Sequence, residues 1–165
     1  MWKLTQVTHL DLALNRLKGE TPSLFSTLVH VTYLDLQQNN FTSLIPDVFH
    51  KLIKLENLAL NFNNLTCQVP SSLFHLPQLS FLDLSFNKLV GPIPIETGKR
   101  SKLSLVGLNS NMLNGTIPHW CFSLSSLLAL HLRDNQLTKS IGELTAYSLR
   151  YLLLSNNNLQ GHFPK

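Results

Sequence analysis

Charge is scarce in this sequence. Asp, Glu, Lys and Arg make up 13% of its 165 residues, half the ~25% usual in soluble domains. The net charge of +4 is modest, and its densest piece, Lys99-Arg100 with Lys102, reads as a solvated turn interrupting one repeat. A nucleic-acid surface needs basic residues along a whole face with aromatics between them; neither is here, and nucleic acid is not expected as a partner. Cysteine is scarcer still. Cys67 and Cys121 lie 54 residues apart, in different positions of the repeat set out below. No bridge between them is expected, and two cysteines leave the redox compartment open. No apolar run approaches the ~20 residues of a membrane span. The start, MWKLTQVTHLDL, shows no apolar leader with a small-residue cleavage site.

Catalytic signatures are missing as well. There is no phosphate-binding glycine loop ending in Lys-Ser/Thr, no His-Glu-x-x-His, no Gly-x-Ser-x-Gly and no kinase signature. Seven histidines (His9, His30, His50, His75, His119, His131 and His162) are scattered without metal-ligand spacing. The expectation is a chain that is not an enzyme and has no metal and no cofactor.

What is present is a period. Asparagines recur at Asn15, Asn39, Asn63, Asn87, Asn111 and Asn135, each 24 residues after the last, and then at Asn157 after a step of 22. The unit is clearest in LSFLDLSFNKLVGPIP, Leu79 to Pro94: leucines at fixed offsets around Asn87, closed by Gly91 and Ile93-Pro94. Repeats starting near 7, 31, 55, 79, 103, 127 and 149 fill residues 1–165 as one unit. A fixed period of this length means coils stacked in a solenoid, each burying its apolar face against its neighbours. The sixth repeat departs from the pattern, with Lys139 where Gly is usual and Gly142 where Pro is usual.

Within each unit a short alternation such as Leu82-Asp83-Leu84 predicts a strand with leucines inward. Seven such strands at ~4.8 Å spacing would form one parallel sheet ~30 Å wide. After Pro22, Pro46, Pro70 and Pro118, apolar residues recur every third position, as in Phe49, Leu52 and Leu55. That spacing predicts 3-10-like or short helical turns on the opposite, convex side. Cys121 falls in the slot of Phe25, Phe49 and Leu73 and reads as a buried thiol acting as a small hydrophobe, while Cys67 stands where Gly19, Gly91 and Gly115 mark a turn. The amides of Asn15, Asn39, Asn63, Asn87, Asn111, Asn135 and Asn157 are expected to form a structural ladder, because an amide both donates and accepts and can satisfy the inward backbone groups of adjacent turns. Solenoids need polar caps; Val7 already holds a repeat position and Lys165 directly follows Phe163-Pro164, so a piece of a longer ectodomain is expected.

The motif LxxLxLxxNxLxGxIP, complete in Leu79–Pro94 and Leu103–Pro118, resembles the plant-specific class of leucine-rich repeat. The segments GTIPHWCFSLSSL and SLRYLLLSNNNLQGHFP further resemble ectodomains of plant receptor-like proteins and leucine-rich repeat receptor kinases. That resemblance implies a right-handed solenoid with its parallel sheet on the concave face. It also implies an extracellular part of a plasma-membrane protein in defence or developmental signalling, with a peptide, protein or glycan ligand and a co-receptor kinase as partners. Two other roles share the repeat class: a secreted inhibitor of microbial wall-degrading glycanases, and the ectodomain of a receptor kinase whose catalytic domain lies outside this chain.

Outward strand positions are the candidate ligand surface. Tyr33, Phe62, Phe81 and Phe86 read as an exposed aromatic group beside Asp35 and Asp83, with His131, Arg133 and Tyr151 farther along the same columns. Aromatics are enriched at binding hot spots, although Tyr-Leu-Asp-Leu is also common filler in such repeats. Three Asn-x-Thr sequons, at Asn40, Asn64 and Asn114, are candidate glycosylation sites and would fit passage through the secretory route.

Overall fold

The computed structural model describes residues 4–20, 25, 27–45 and 47–162. The predicted turn residues Thr21-Pro22, Pro46 and Phe163-Pro164 lie outside the described residues. The chain winds as a solenoid whose concave strands all run parallel. These are β1 (His9–Asp11), β3 (Tyr33–Asp35), β5 (Asn57–Ala59), β7 (Phe81–Asp83), β9 (Leu105–Gly107), β11 (Ala129–His131) and β13 (Tyr151–Leu153). They form a seven-stranded sheet in that order, bounding six turns. In register, His9 faces Tyr33, Tyr33 faces Asn57, and Asn57 faces Phe81. Each strand turns its middle residue inward. Leu34, Leu58, Leu82, Val106 and Leu130 are fully buried, whereas Leu10 and Leu152 of the outermost strands are only partly covered.

A single sheet underestimates the pairing. A second strand follows each concave one along the flank of the coil: β2 (Lys18–Glu20), β4 (Asn40–Ser43), β6 (Asn64–Leu65), β8 (Val90–Pro92), β10 (Met112–Thr116), β12 (Gln136–Lys139) and β14 (Asn158–Leu159). These make a three-stranded and a four-stranded parallel sheet, joined by an isolated bridge between Gln68 and Val90. Concave partners are one period apart, but most flank partners are two residues closer, as in Lys18 with Asn40 and Met112 with Val90. Side-chain alternation carries no trace of this pairing, which arises when stacking brings backbone groups of adjacent coils within hydrogen-bond distance.

On the convex side, Asp47–Lys51 and Ser71–His75 are 3-10 turns and Trp120–Ser123 is one turn of α-helix. The buried Phe74 and Trp120 rings pack with centroids 5.3 Å apart, and the Trp120 Nε1–H donates to the Pro94 carbonyl at 2.8 Å. Cys121 is fully buried. Cys67, expected in a turn, is also buried, and its Sγ accepts the Ile45 N–H at 3.2 Å. Both thiols are free, and burial pushes both upward from their ordinary ionisation range, Cys121 the farther.

The amide ladder is explicit. In the interior, Asn87 Nδ2 donates to the carbonyls of Leu60 (2.9 Å), Leu84 (3.1 Å) and Ser85 (3.3 Å), and its Oδ1 accepts the Leu65 N–H at 3.0 Å. Asn39, Asn63, Asn111 and Asn135 repeat the pattern and are buried. Asn15 differs. It is exposed and, among the described residues, its side chain bonds only to Leu12 and Ala13 of its own turn. The turn that aims each amide inward places the preceding residue in the left-handed region: Leu14, Gln38, Phe62, Phe86, Ser110, Asp134 and Asn156 have φ between 50° and 57°.

Candidate functional site

The concave sheet is open to solvent, and its outward columns divide into two features. The first is a depression of about 300 Å³ across β3, β5 and β7, lined by Tyr33, Asp35, Asn57, Ala59, Phe81 and Asp83 with Gln37 and Asn61. The second is an aromatic pair at the C-terminal ends of the strands. Phe62 and Phe86 stack with ring centroids 4.2 Å apart and planes at 7°, and each residue is 43% exposed.

The expected single aromatic group is therefore split. Phe81 and Tyr33 are half-buried in the depression, with Tyr33 stacked on His9 at 5.9 Å, while Phe62 and Phe86 form their own exposed platform. The reason is position: Tyr33 and Phe81 begin their strands, and Phe62 and Phe86 sit in the left-handed turn that ends them.

Asp35 is corrected more sharply. It is buried, 4% exposed, rather than free on the surface. Its Oδ1 accepts the Gln37 N–H at 3.0 Å, and its Oδ2 accepts from the Tyr33 hydroxyl at 3.0 Å and from Gln37 Nε2 at 3.1 Å. Gln37 Oε1 then accepts from Asn61 Nδ2 at 3.1 Å. The carboxylates of Asp11 and Asp83 likewise accept the N–H two residues on, from Ala13 at 2.9 Å and Ser85 at 3.0 Å. An Asx turn of this kind supplies the backbone with a partner where the strand ends, so the acidic column first serves the turn. The Asp35 carboxylate holds the Tyr33 hydroxyl above its ordinary value of 10.0, because it accepts a bond only the protonated phenol can donate; desolvation and the charges of Asp35 and Asp11 add to it.

His131 and Arg133 belong to β11 and the turn after it, and Tyr151, 62% exposed, begins β13. None of the three lines the depression. Gln37, Asn57 and Asn61, which do line it, have only their place in the outward columns as a signal in sequence. The sequon asparagines Asn40, Asn64 and Asn114 stand on the flank strands β4, β6 and β10, with Asn40 and Asn114 exposed and Asn64 half-buried. Among the described residues no group of three or more His, Cys, Asp or Glu side chains converges to hold a metal ion, and no helix is long and apolar enough to cross a membrane.

Comparison with known proteins adds to this geometry. A leucine rich repeat family profile matches residues 5–65 and 30–89, and a second leucine rich repeat profile matches 148–165. No curated protein matches by sequence. Among solved structures, the chain is similar to the Arabidopsis receptor kinase HAESA, solved with the peptide hormone IDA and the co-receptor SERK1, at 34% identity and a TM-score of 0.92 over 97% of this chain and 27% of that one. It is similar to a protein in the PEPR1-AtPEP1 structure at 37% identity and a TM-score of 0.89, covering 93% of this chain and 22% of that one. The ectodomain of the Arabidopsis thaliana receptor kinase GASSHO1/SCHENGEN3, solved with CASPARIAN STRIP INTEGRITY FACTOR 2, matches at 31% identity and a TM-score of 0.70, covering 94% and 22%. The chain thus spans about a quarter of the length of these three solved structures.

Proposed function

The chain belongs to the leucine-rich repeat family, and we propose that it is a ligand-binding segment of a plant receptor ectodomain that holds an extended peptide on its concave sheet. The observation that carries this reading is the Phe62–Phe86 stack. A left-handed backbone costs a residue with a side chain ~1–2 kcal/mol, and Asn or Asp tolerates it best, as Asn156 and Asp134 do here. Two phenylalanines in that conformation, 43% exposed, contradict local preference. Departures of this kind concentrate at functional sites.

The depression beside the stack offers polar groups already fixed by the Asp35–Gln37–Asn61 network, so a ligand would be ordered against a surface that itself loses little freedom. Solved structures of a relative bound to a peptide hormone favour a peptide over the other ligand classes. They also favour signalling through a kinase, either the parent's own or that of a co-receptor. In this reading the chain contributes binding and no catalysis, its repeats are of the plant-specific class, and it works outside the cell with glycans on Asn40, Asn64 and Asn114.

The test is selection of a displayed library of extended peptides on this chain, followed by binding of the winners to a Phe62→Asn/Phe86→Asn variant. Asn suits the left-handed turn, so the melting temperature should hold or rise while peptide binding falls at least tenfold. Peptides that bind the variant as tightly as the parent would remove the aromatic pair from the site.

A further inference from the structure

The flank of the solenoid that precedes the concave strands carries most of the clustered positive charge, and the function proposed above does not use it. His30, Lys54, Gln78 and Lys102 occupy one position in four successive coils, so they form a column ~14 Å long at ~4.8 Å per coil. Within it Lys54 Nζ donates to His30 Nδ1 at 3.1 Å, and Lys102 Nζ donates to Gln78. The fourth repeat has no helical turn on its convex side. Its Gly98 N–H instead donates to the Phe74 carbonyl at 2.9 Å, laying the Lys99-Arg100 segment beside the column. The result is a depression of about 440 Å³ lined by His75, Gln78, Lys99, Arg100, Ser101 and Lys102. His75 Nδ1 donates to the Ser71 carbonyl at 2.9 Å, which leaves Nε2 as the ring nitrogen available to a ligand. Lys99 and Arg100 are exposed and have no acidic partner among the described residues.

We infer that this basic flank is a second binding site, independent of the concave face, that takes an acidic polysaccharide: a chain of uronic-acid sugars whose carboxylates meet Lys99, Arg100 and Lys102. Charge complementarity selects an anion, and an open trough that gathers three cations, Lys99, Arg100 and Lys102, with Lys54 two coils away along the column, suits a chain of repeating charge better than a single small ion. Apart from His75 the depression has no aromatic lining. Its apolar lining, the buried Leu76 and the exposed Pro77, offers the C–H face of a sugar ring a surface without the aromatic anchor that a protein hot spot uses, and sugar hydroxyls are matched by Gln78, Ser101 and the lysine ammoniums. The three sequons lie on the opposite flank, on strands that follow the concave sheet, so any glycan on them leaves this flank uncovered.

The experiment is binding of an oligogalacturonide to the full chain by calorimetry at two salt concentrations. It is set against the variant Lys99→Gln/Arg100→Gln/Lys102→Gln and against a charge-matched control, Lys18→Gln/Lys88→Gln/Lys139→Gln, at exposed positions outside the depression. Three lost surface contacts should weaken binding about tenfold, added salt should weaken the parent similarly, and the control should bind as the parent does. Equal loss in both variants would reduce the effect to net charge and overturn the site. Absent binding, or tighter binding of a polyglutamate of the same length, would overturn the polysaccharide. Thermal melts of both variants verify folding, and peptide binding at Phe62 and Phe86 should be unchanged in either.

Discussion

Replacing Asn87 by Leu isolates what one rung of the amide ladder contributes. Four bonds disappear, but they are not equivalent. The Leu84 carbonyl keeps a bond from Asn111 at 3.1 Å, and the Leu60 carbonyl keeps one from Asn63 at 3.2 Å. The Ser85 carbonyl still accepts the Phe62 N–H at 3.0 Å. The Leu65 N–H, whose acceptor is the Asn87 amide oxygen in the next coil, is the group left without a partner. One orphaned buried donor costs about 1–3 kcal/mol, and that is the expected loss in stability by urea or thermal unfolding. The same substitution at Asn15, which is exposed and bonded, among the described residues, only within its own turn, should cost about 0.5 kcal/mol or less. Hydrogen exchange locates the effect: the Leu65 amide should lose protection in Asn87→Leu while the Leu89 amide, held by Asn111 at 2.9 Å, retains it. Equal destabilisation by the two substitutions, or a protected Leu65 amide in Asn87→Leu, would refute the reasoning that coil-to-coil acceptance, and not the turn itself, is what the ladder supplies.

Gly107→Ala would place a Cβ 2.5 Å from the Asp83 carboxylate and 3.0 Å from Ser85 Oγ. Displacing both should cost about 1–3 kcal/mol in unfolding free energy. Lys139 holds φ 66° in the slot that Gly91, Gly115 and Gly161 fill elsewhere, so Lys139→Gly should leave stability level or raise it by up to ~1 kcal/mol in urea titration. The Tyr33 hydroxyl is raised in the folded chain by its bond to Asp35. The stability this pair contributes is therefore fully present below pH 10 and lost as pH rises through the folded value, and ultraviolet titration of Asp35→Asn should show one tyrosine ionising earlier than in the parent. Cys67 and Cys121 are buried and shifted upward, so mass spectrometry after alkylation at neutral pH should find neither modified until denaturant is added.

Much of the fold is legible because stacking forces identical choices on every coil. Leu82, Leu58 and Leu34 must all be apolar, since they share one buried interior, and Asn87 must be an amide, since it bonds backbone groups of its own and the neighbouring coil; a period in sequence follows directly. The concave strands, the short convex turns and the buried place of Cys121 all come from that period. The candidate site is less legible because outward residues answer to no such constraint. Tyr33 and Phe62 look alike in an outward column, yet one binds an aspartate and rests on His9 while the other stacks on Phe86 in a left-handed turn.

The sequence by itself determined the solenoid, its period, its inward leucines and six of the seven ladder asparagines, all but Asn15, because those are side-chain requirements repeated from coil to coil. Tertiary structure alone decided the flank sheets, the burial of Asp35, the exposure of Asn15 and the meeting of Lys99 and Arg100 with His75. Each of these depends on which groups two coils bring together, and a hydrogen bond between backbones or a carboxylate drawn into a turn leaves no mark in the spacing of residue types.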